Sequence, residues 1–365
     1  MSQELSPSFC PLLWSHLVLK KNQPVIPCCS YTGAGVVMPE GSAAAAALDS
    51  DYFQELRAKA RRGEKIAGCH RCYASEVASG ESNRTTAIRD FPFDPSAEAK
   101  LRSVELNLGN LCNLRCRGCN SSSSSKWVAD EIKLGMTPAG GKELQTQPSS
   151  ILDGYWRDLR HLKLLGGETF LNPEHEVLLK NLLEKADPRS ISLFYSTNGT
   201  VRVSPFVLQA WEHFEKVEIS FSVDGFKEKN DRFRQGSRWQ EVIENMHWYL
   251  QNTQRAKMEW TIHTVVNMSN VDEIDLIDDW LLSEFPDFWL TKDCLIEPDW
   301  LNIRHLEPTE KTRLLEKYRA LGAAHSSRKR KRGYLNIAHF LATQPQGEID
   351  KFREMNEKLD RLNES

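Results

Sequence analysis

The sequence predicts an α/β protein: a parallel sheet curled into a partial TIM-like barrel of six strand–helix units, with a small cysteine-rich domain ahead of it and a helical extension behind. Two observations predict this. From about residue 100, short apolar runs near 103–109, 160–165, 190–195, 216–222, 258–266 and 299–305 alternate with amphipathic stretches such as 173–186, 239–251 and 271–283, and serial strand–helix units build parallel sheets. Five of the nine cysteines, Cys10, Cys28, Cys29, Cys69 and Cys72, precede that pattern. A chain of 365 residues exceeds a typical single domain, and the boundaries fall at 1–98, 99–322 and 323–365.

Cys10 heads the strand-like run Phe9-Cys-Pro-Leu-Leu-Trp-Ser-His-Leu-Val-Leu19, and Cys28-Cys29 close the next, Gln23-Pro-Val-Ile-Pro27. The two read as the legs of a hairpin. Residues 43–62 read as one helix, and Cys69-His-Arg-Cys72 then supplies a CxxC hook. Cys10, Cys28 or Cys29, Cys69 and Cys72 make a four-thiolate set, a pattern that zinc also uses.

Directly after the first barrel strand comes Leu111-Cys-Asn-Leu-Arg-Cys-Arg-Gly-Cys-Asn120. Three thiolates, Cys112, Cys116 and Cys119, can hold three corners of a 4Fe-4S cube and leave the fourth iron open. A structural zinc ion asks for four ligands, and this triplet has no adjacent fourth Cys or His. The second strand ends in Leu162-Lys-Leu-Leu-Gly-Gly-Glu168, the third in Ser196-Thr-Asn-Gly199 and the fourth in Ser220-Phe-Ser-Val-Asp-Gly225, with Arg234 following in Asp231-Arg-Phe-Arg-Gln-Gly236. All lie at C-terminal strand ends, where parallel sheets bind ligands. The connection 121–156 is long, and its Gly-, Pro-, Thr- and Ser-rich part, 135–150, reads as a flexible insertion near the site.

The CxxxCxxC triplet followed by the Gly-Gly-Glu turn resembles the radical S-adenosylmethionine (SAM) superfamily, whose core is also a six-unit partial barrel. The resemblance implies that the open iron chelates the amino and carboxylate groups of SAM and that one electron splits it into methionine and a 5'-deoxyadenosyl radical. It implies that Gly166 and Gly167 let the backbone approach this ligand, that Glu168 accepts from its ammonium, that Ser196 and Ser222 hold its ribose hydroxyls, that Asn198 is a further cofactor-binding residue and that Arg234 pairs with its carboxylate. The N-terminal cysteines resemble a twitch domain, a shortened relative of the SPASM domain. Its further marks are Leu56-Arg57, Gly63, Glu76, Gly80, Ser82 and Arg84, and Gln23 departs from the glycine usual in its hairpin. This implies a second, auxiliary 4Fe-4S cluster on Cys10, Cys28 (or Cys29), Cys69 and Cys72, acting as an electron relay.

The same resemblance implies a peptide or small-metabolite substrate, an electron donor such as flavodoxin or ferredoxin, and cross-linking, epimerisation, dehydrogenation or cleavage as outcome. Asn107, Lys163, Tyr195, His263, Asn302 and Arg304 are candidates to hold the substrate. No residue is assigned a catalytic acid or base role.

Hydrophobic content of 40% and charged content of 27% describe a soluble globular chain. No run reaches the length of a membrane span, and the first residues lack a signal-peptide pattern. Cysteines grouped at metal-like spacings argue for a reducing compartment, the cytoplasm. A net charge of −3 gives no global attraction to nucleic acid, and the exception, Arg328-Lys-Arg-Lys-Arg332, reads as a solvated loop. Modification of a nucleotide or RNA is the enzymatic alternative, with tryptophans for stacking. A non-catalytic zinc-stabilised interaction protein is the alternative from another class, although it has no use for Gly166-Gly-Glu168. Cys294 reads as a small core hydrophobe. Residues 349–359 have helical periodicity, either covering the barrel's open side or packing outside it.

Overall fold

The computed structural model describes residues 6–39, 41–90 and 98–343. In chain order its strands are β1 (His16–Leu19), β2 (Ser103–Asn107), β3 (Arg115–Cys116), β4 (His161–Leu165), β5 (Ser192–Thr197), β6 (Lys216–Ser222), β7 (Arg234–Gln235), β8 (Met258–Val266) and β9 (Trp289–Cys294). Seven form one sheet in the order β1-β2-β4-β5-β6-β8-β9, with every neighbouring pair parallel. This is the expected partial α/β barrel. Because all seven run the same way, the loops after β2, β4, β5 and β6 gather at one end.

Strand alternation decides which side chains face the helices. Leu162 and Leu164 of β4, Leu193 and Tyr195 of β5, and Val217, Ile219 and Phe221 of β6 are buried. They share one core with Leu178, Leu182, Trp211 and Tyr249 from the helices Glu174–Lys185, Pro205–Trp211 and Trp239–Asn252. The opposite face is polar: Lys163 Nζ meets Glu105 Oε2 at 3.1 Å, and His263 Nε2 meets Asp293 Oδ2 at 3.1 Å.

Five expectations are corrected. The sixth barrel strand is β9, not 299–305, which forms two 3-10 turns, Asp299–Leu301 and Ile303–His305; Asn302 Oδ1 accepts from Arg304 N at 3.0 Å and favours the turn. The charges of Lys292 and Asp293 mask β9 in the sequence, although Lys292 is buried in an ion pair. The proposed hairpin is instead a helical turn, Leu12–Ser15, followed by β1, which pairs parallel with β2. Val18 with Ile26, and Val25 with Val36, make only single antiparallel bridges. The first 98 residues therefore lend the barrel an edge strand while keeping a small core of their own around Phe9, Leu13, Trp14, Tyr31 and Leu56. The stretch 43–62 is broken into Ala45–Leu48 and Asp51–Arg61, where Ser50 caps the second helix by accepting from Phe53 N at 3.4 Å.

The insertion, too, differs from expectation: it is pinned rather than loose. The buried Glu131 carboxylate accepts from Ser121 N at 2.9 Å, Ser121 Oγ at 2.5 Å and Ala139 N at 3.1 Å. Gln145 N donates to Asn110 Oδ1 at 2.8 Å and Gln147 N to Leu108 O at 3.0 Å. These contacts tie 121–147 to the loop that carries the three cysteines.

The basic run is also reassigned, since it opens the helix Arg328–Ala342 instead of forming a loop. Arg330 pairs with Asp279 at 2.9 Å and Arg332 with Glu81 at 2.6 Å. Beside them Lys292 and Asp278 meet at 2.7 Å, both side chains 2% exposed, and Tyr334 Oη donates to Asp278 at 2.7 Å. The helix expected over 349–359 lies outside the described residues. No described helix is long and apolar enough to cross a membrane.

Replacing Lys292 with Met strands the Asp278 carboxylate in the core, and unfolding free energy is expected to fall by about 3–5 kcal/mol. Urea denaturation followed by circular dichroism measures it; an unchanged midpoint means that the pair is not buried in solution.

Candidate functional site

The loop after β2 is held by its own backbone. Leu114 N donates to Cys112 Sγ at 3.4 Å, Trp127 Nε1 donates to Cys116 O at 3.0 Å, and the short β3–β7 ladder sets Cys116 opposite Arg234. Cys112, Cys116 and Cys119 lie within electrostatic reach of one another and of Arg234. Burial pushes the Cys116 thiol up to about 11 and the Cys119 thiol up to about 12, and raises Cys112 as well. Such thiols become ligands when a cation replaces the proton.

Gly166 and Gly167 have φ of +93° and +54°. A Cβ on Gly167 would lie 2.1 Å from Leu111 O, and one on Gly166 would lie 2.0 Å from Asn107 Oδ1 and 2.6 Å from Gly109 O. What the two glycines approach is therefore the cysteine loop, and Glu168 N donates to the same Leu111 O at 2.7 Å. The Glu168 carboxylate, fully buried, accepts from Thr197 Oγ1 at 2.9 Å, Phe170 N at 3.2 Å and Asn198 N at 2.7 Å. Burial raises its pKa, opposed by those donors. Of roughly four acceptor positions on a carboxylate, about one remains for a ligand.

Arg234 pairs with Asp224 at 2.5 Å, and Asp224 also accepts from Val265 N at 2.8 Å. Burial works against the guanidinium's charge, but Cys116 and Asp224 outweigh it and keep the group cationic. Its Nε is buried without a protein partner, as is Thr169 Oγ1 beside Glu168. An anionic group fits such an orphaned cationic donor. Asn198 spends its amide on the loop, donating to Asn113 Oδ1 at 2.9 Å and standing 4.0 Å from Cys112 Sγ. Ser196 and Ser222 lie half-buried at the ends of β5 and β6, on the polar face of the sheet.

In the N-terminal segment Cys10, Cys28, Cys69 and Cys72 line one small cavity with Tyr31, Asn83 and Arg84. Cys29 does not line it: its Sγ accepts from Asn83 Nδ2 at 3.7 Å and lies within electrostatic reach of Glu105, Lys163 and Asp293 on the polar face. Arg84 braces the cavity: its guanidinium donates to both oxygens of Glu76, at 2.9 and 2.5 Å, and to Phe9 O, next to Cys10, at 3.0 Å. Burial pushes Cys10 up to about 12 and Cys69 up to about 11. Among the described residues no three Cys, His, Asp or Glu side chains are grouped to hold a single metal ion. A cube binds each thiolate to a different iron and does not need them so close.

The substrate candidates divide. Lys163 and His263 are on the polar face, and Asn107 Oδ1 accepts from Gly109 N at 3.0 Å. Tyr195 instead faces the helices, where Trp211 Nε1 donates to its hydroxyl at 3.1 Å and His175 Nε2 meets it at 3.1 Å. Arg304 lies over the Phe340 ring at 3.7 Å and Asn302 is buried in its turn, so neither sits on a barrel strand. Sequence reasoning missed Glu131 and Asp224 as organisers; Asp224 carried a signal in its place at the end of β6, whereas nothing marked Glu131.

A parallel partial barrel that gathers a three-cysteine loop, a glycine-rich turn and a buried arginine at its C-terminal strand ends is an α/β cofactor-binding barrel. Residues 106–281 match the family model described as the Radical SAM superfamily. Among solved structures it is similar to native anSMEcpe with bound AdoMet, at 16% identity over 59% of each chain and a TM-score of 0.41. It is also similar to Streptococcus suis SuiB, at 11% identity over 78% of this chain and 60% of that one, TM-score 0.41. SuiB bound to precursor peptide SuiA matches at 13% identity over 69% and 60%, TM-score 0.38. The chain thus spans about 60% of the length of these structures. No curated protein matches it.

Gly167→Ala should push the Leu111 carbonyl aside. Faster amide exchange across 109–120 and weaker iron loading are expected. Gly135→Ala, at φ +74° with nothing within 4 Å of the new Cβ, controls for backbone strain alone; equal effects from both variants would refute the contact.

Proposed function

We propose that this protein is a radical SAM enzyme that reductively cleaves SAM and takes a hydrogen atom from a peptide or small-metabolite substrate, with an auxiliary 4Fe-4S cluster as electron relay. The observation that carries this reading is the joining of the Cys112–Cys116–Cys119 loop to the Gly166-Gly167-Glu168 turn through the Leu111 carbonyl. SAM bound at the open iron supplies, on one-electron reduction, a carbon radical strong enough to attack an unactivated C–H bond. The three cysteines hold three irons. Glu168, with about one acceptor position left, receives the ammonium; Arg234, with its orphaned Nε, receives the carboxylate; Ser196 and Ser222 face the ribose. Lys163 and His263, each beside a carboxylate on the sheet's polar face, hold the substrate below.

The auxiliary cluster is assigned to Cys10, Cys28, Cys69 and Cys72, and Cys28 is favoured over Cys29 because only Cys28 shares their cavity. Four cysteine ligands leave no open iron, which suits electron transfer rather than substrate binding. Residues 1–98 act as its domain and lend β1 to the barrel, residues 99–322 form the radical domain, and the rest extends it. A small one-electron donor such as flavodoxin or ferredoxin would supply the reducing electron, in a reducing compartment such as the cytoplasm. RNA modification loses support from Arg330 and Arg332, whose charges are paired with Asp279 and Glu81.

Replacing Cys112, Cys116 and Cys119 together with Ala is expected to remove about four irons per chain and all deoxyadenosine formation. Deoxyadenosine from that variant would refute the assignment. The Cys69→Ala, Cys72→Ala double variant should take total iron from about eight to about four while uncoupled SAM cleavage survives. About four irons and one zinc in the wild type would make the N-terminal site a zinc knuckle instead.

A further inference from the structure

Beside the barrel mouth lies a cleft that neither cluster uses. It has a volume of about 570 Å³ and is formed where β1 ends, between the segments 19–25, 37–39 with 41–44, and 147–151, a size within the usual range for ligand sites. Its floor is apolar: Leu19 and Val25 are buried, and Val37, at its rim, is 80% exposed. The described part of the rim carries two cations. Lys20 and Lys21 line the cleft and no Asp or Glu does among its described residues, although the chain as a whole carries −3.

Both walls connect to the radical site. Lys20 Nζ donates to Ser122 Oγ at 3.1 Å, three residues beyond Cys119, and Gln147 N donates to Leu108 O at 3.0 Å, just before the cysteine loop. An occupant of the cleft would therefore leave its chain end at the barrel mouth. No aromatic side chain lines the cleft among the described residues, so it offers nothing for bases to stack on. Apolar side chains with carboxylates between them match both its floor and its charge.

We propose that this cleft seats an acidic, apolar segment of a peptide substrate and delivers the adjoining residues to the radical site. The proposal rests on the radical SAM reading and chooses peptide over small metabolite within it.

The test uses the full chain with its clusters reconstituted anaerobically, and three fluorescein-labelled dodecapeptides that alternate Leu with Glu, Lys or Ser. By fluorescence anisotropy at low salt, the Glu peptide should bind about tenfold or more tighter than the Lys peptide, with the gap closing as salt rises. Lys21→Glu should abolish that preference, and Val37→Asp should weaken the Glu peptide by about tenfold, the worth of one buried apolar side chain. Deoxyadenosine formation without peptide should be unchanged in both variants. Equal affinity for the three peptides, or a preference that survives Lys21→Glu, overturns the proposal. Failure of the radical reading is told apart by the absence of deoxyadenosine from the wild type.

Discussion

The Leu111 carbonyl is the point on which the site depends. It accepts from Glu168 N at 2.7 Å and stands 2.1 Å from where a Gly167 Cβ would be. A side chain at 167 would separate the loops after β2 and β4, and with them the cysteines and the glutamate. The same glutamate then reaches the third loop through Thr197 and Asn198, while Cys116 reaches the fourth through Arg234. Three short contacts thus turn four separate strand ends into one rigid rim. Rigidity matters there, because ligands held loosely cannot fix a cofactor's reacting atom against a substrate.

Burial sets the electrostatics of that rim. Desolvation keeps the three thiols and Glu168 towards their protonated forms, while the Asp224 carboxylate holds the Arg234 guanidinium in an ion pair against its burial. A site of this kind favours a ligand that brings positive charge to the thiols and negative charge to the guanidinium. A cationic iron cluster meets the first demand, and an amino-acid carboxylate meets the second. The N-terminal cavity poses only the first, since burial raises its Cys10, Cys28 and Cys69 thiols and its one guanidinium, Arg84, is already spent on Glu76 and Phe9 O.

Much of this was legible in the sequence because the signals were local. Cysteine spacing, a Gly-Gly-Glu after an apolar run, and alternation in β2, β4, β5, β6 and β8 each lie within a dozen residues. What was not legible depended on distant partners. β9 looked too charged for a strand until Asp278, on a neighbouring helix, neutralised Lys292. β1 looked like a hairpin leg because its parallel partner lies more than eighty residues away, from His16 to Ser103. The insertion looked flexible because its glycines and prolines are local, while its anchors, Asn110 and Leu108, belong to another loop. Tyr195 looked like an inward polar group, and only the packing of Trp211 and His175 reveals that its hydroxyl is satisfied among the helices.

The basic run shows how far a local reading can depart from the folded outcome. Five consecutive cationic residues suggest a solvated stretch or an anionic partner, yet Arg332 reaches Glu81, beyond the hook helix His70–Ser79, and Arg330 reaches Asp279 on the helix Ile274–Glu284. One helix, Arg328–Ala342, therefore bridges the cysteine-bearing segment and the far edge of the sheet. β1 at the opposite edge already belongs to that same segment. The N-terminal segment is consequently fastened to both edges of an open barrel, by backbone pairing at β1 and by charge beside β9. A partial barrel has two edges to protect; here the N-terminal segment supplies β1 at one, and the helix it meets through Arg332 and Glu81 packs on β9 at the other, which places its cysteine cavity beside the barrel rather than on a separate tether.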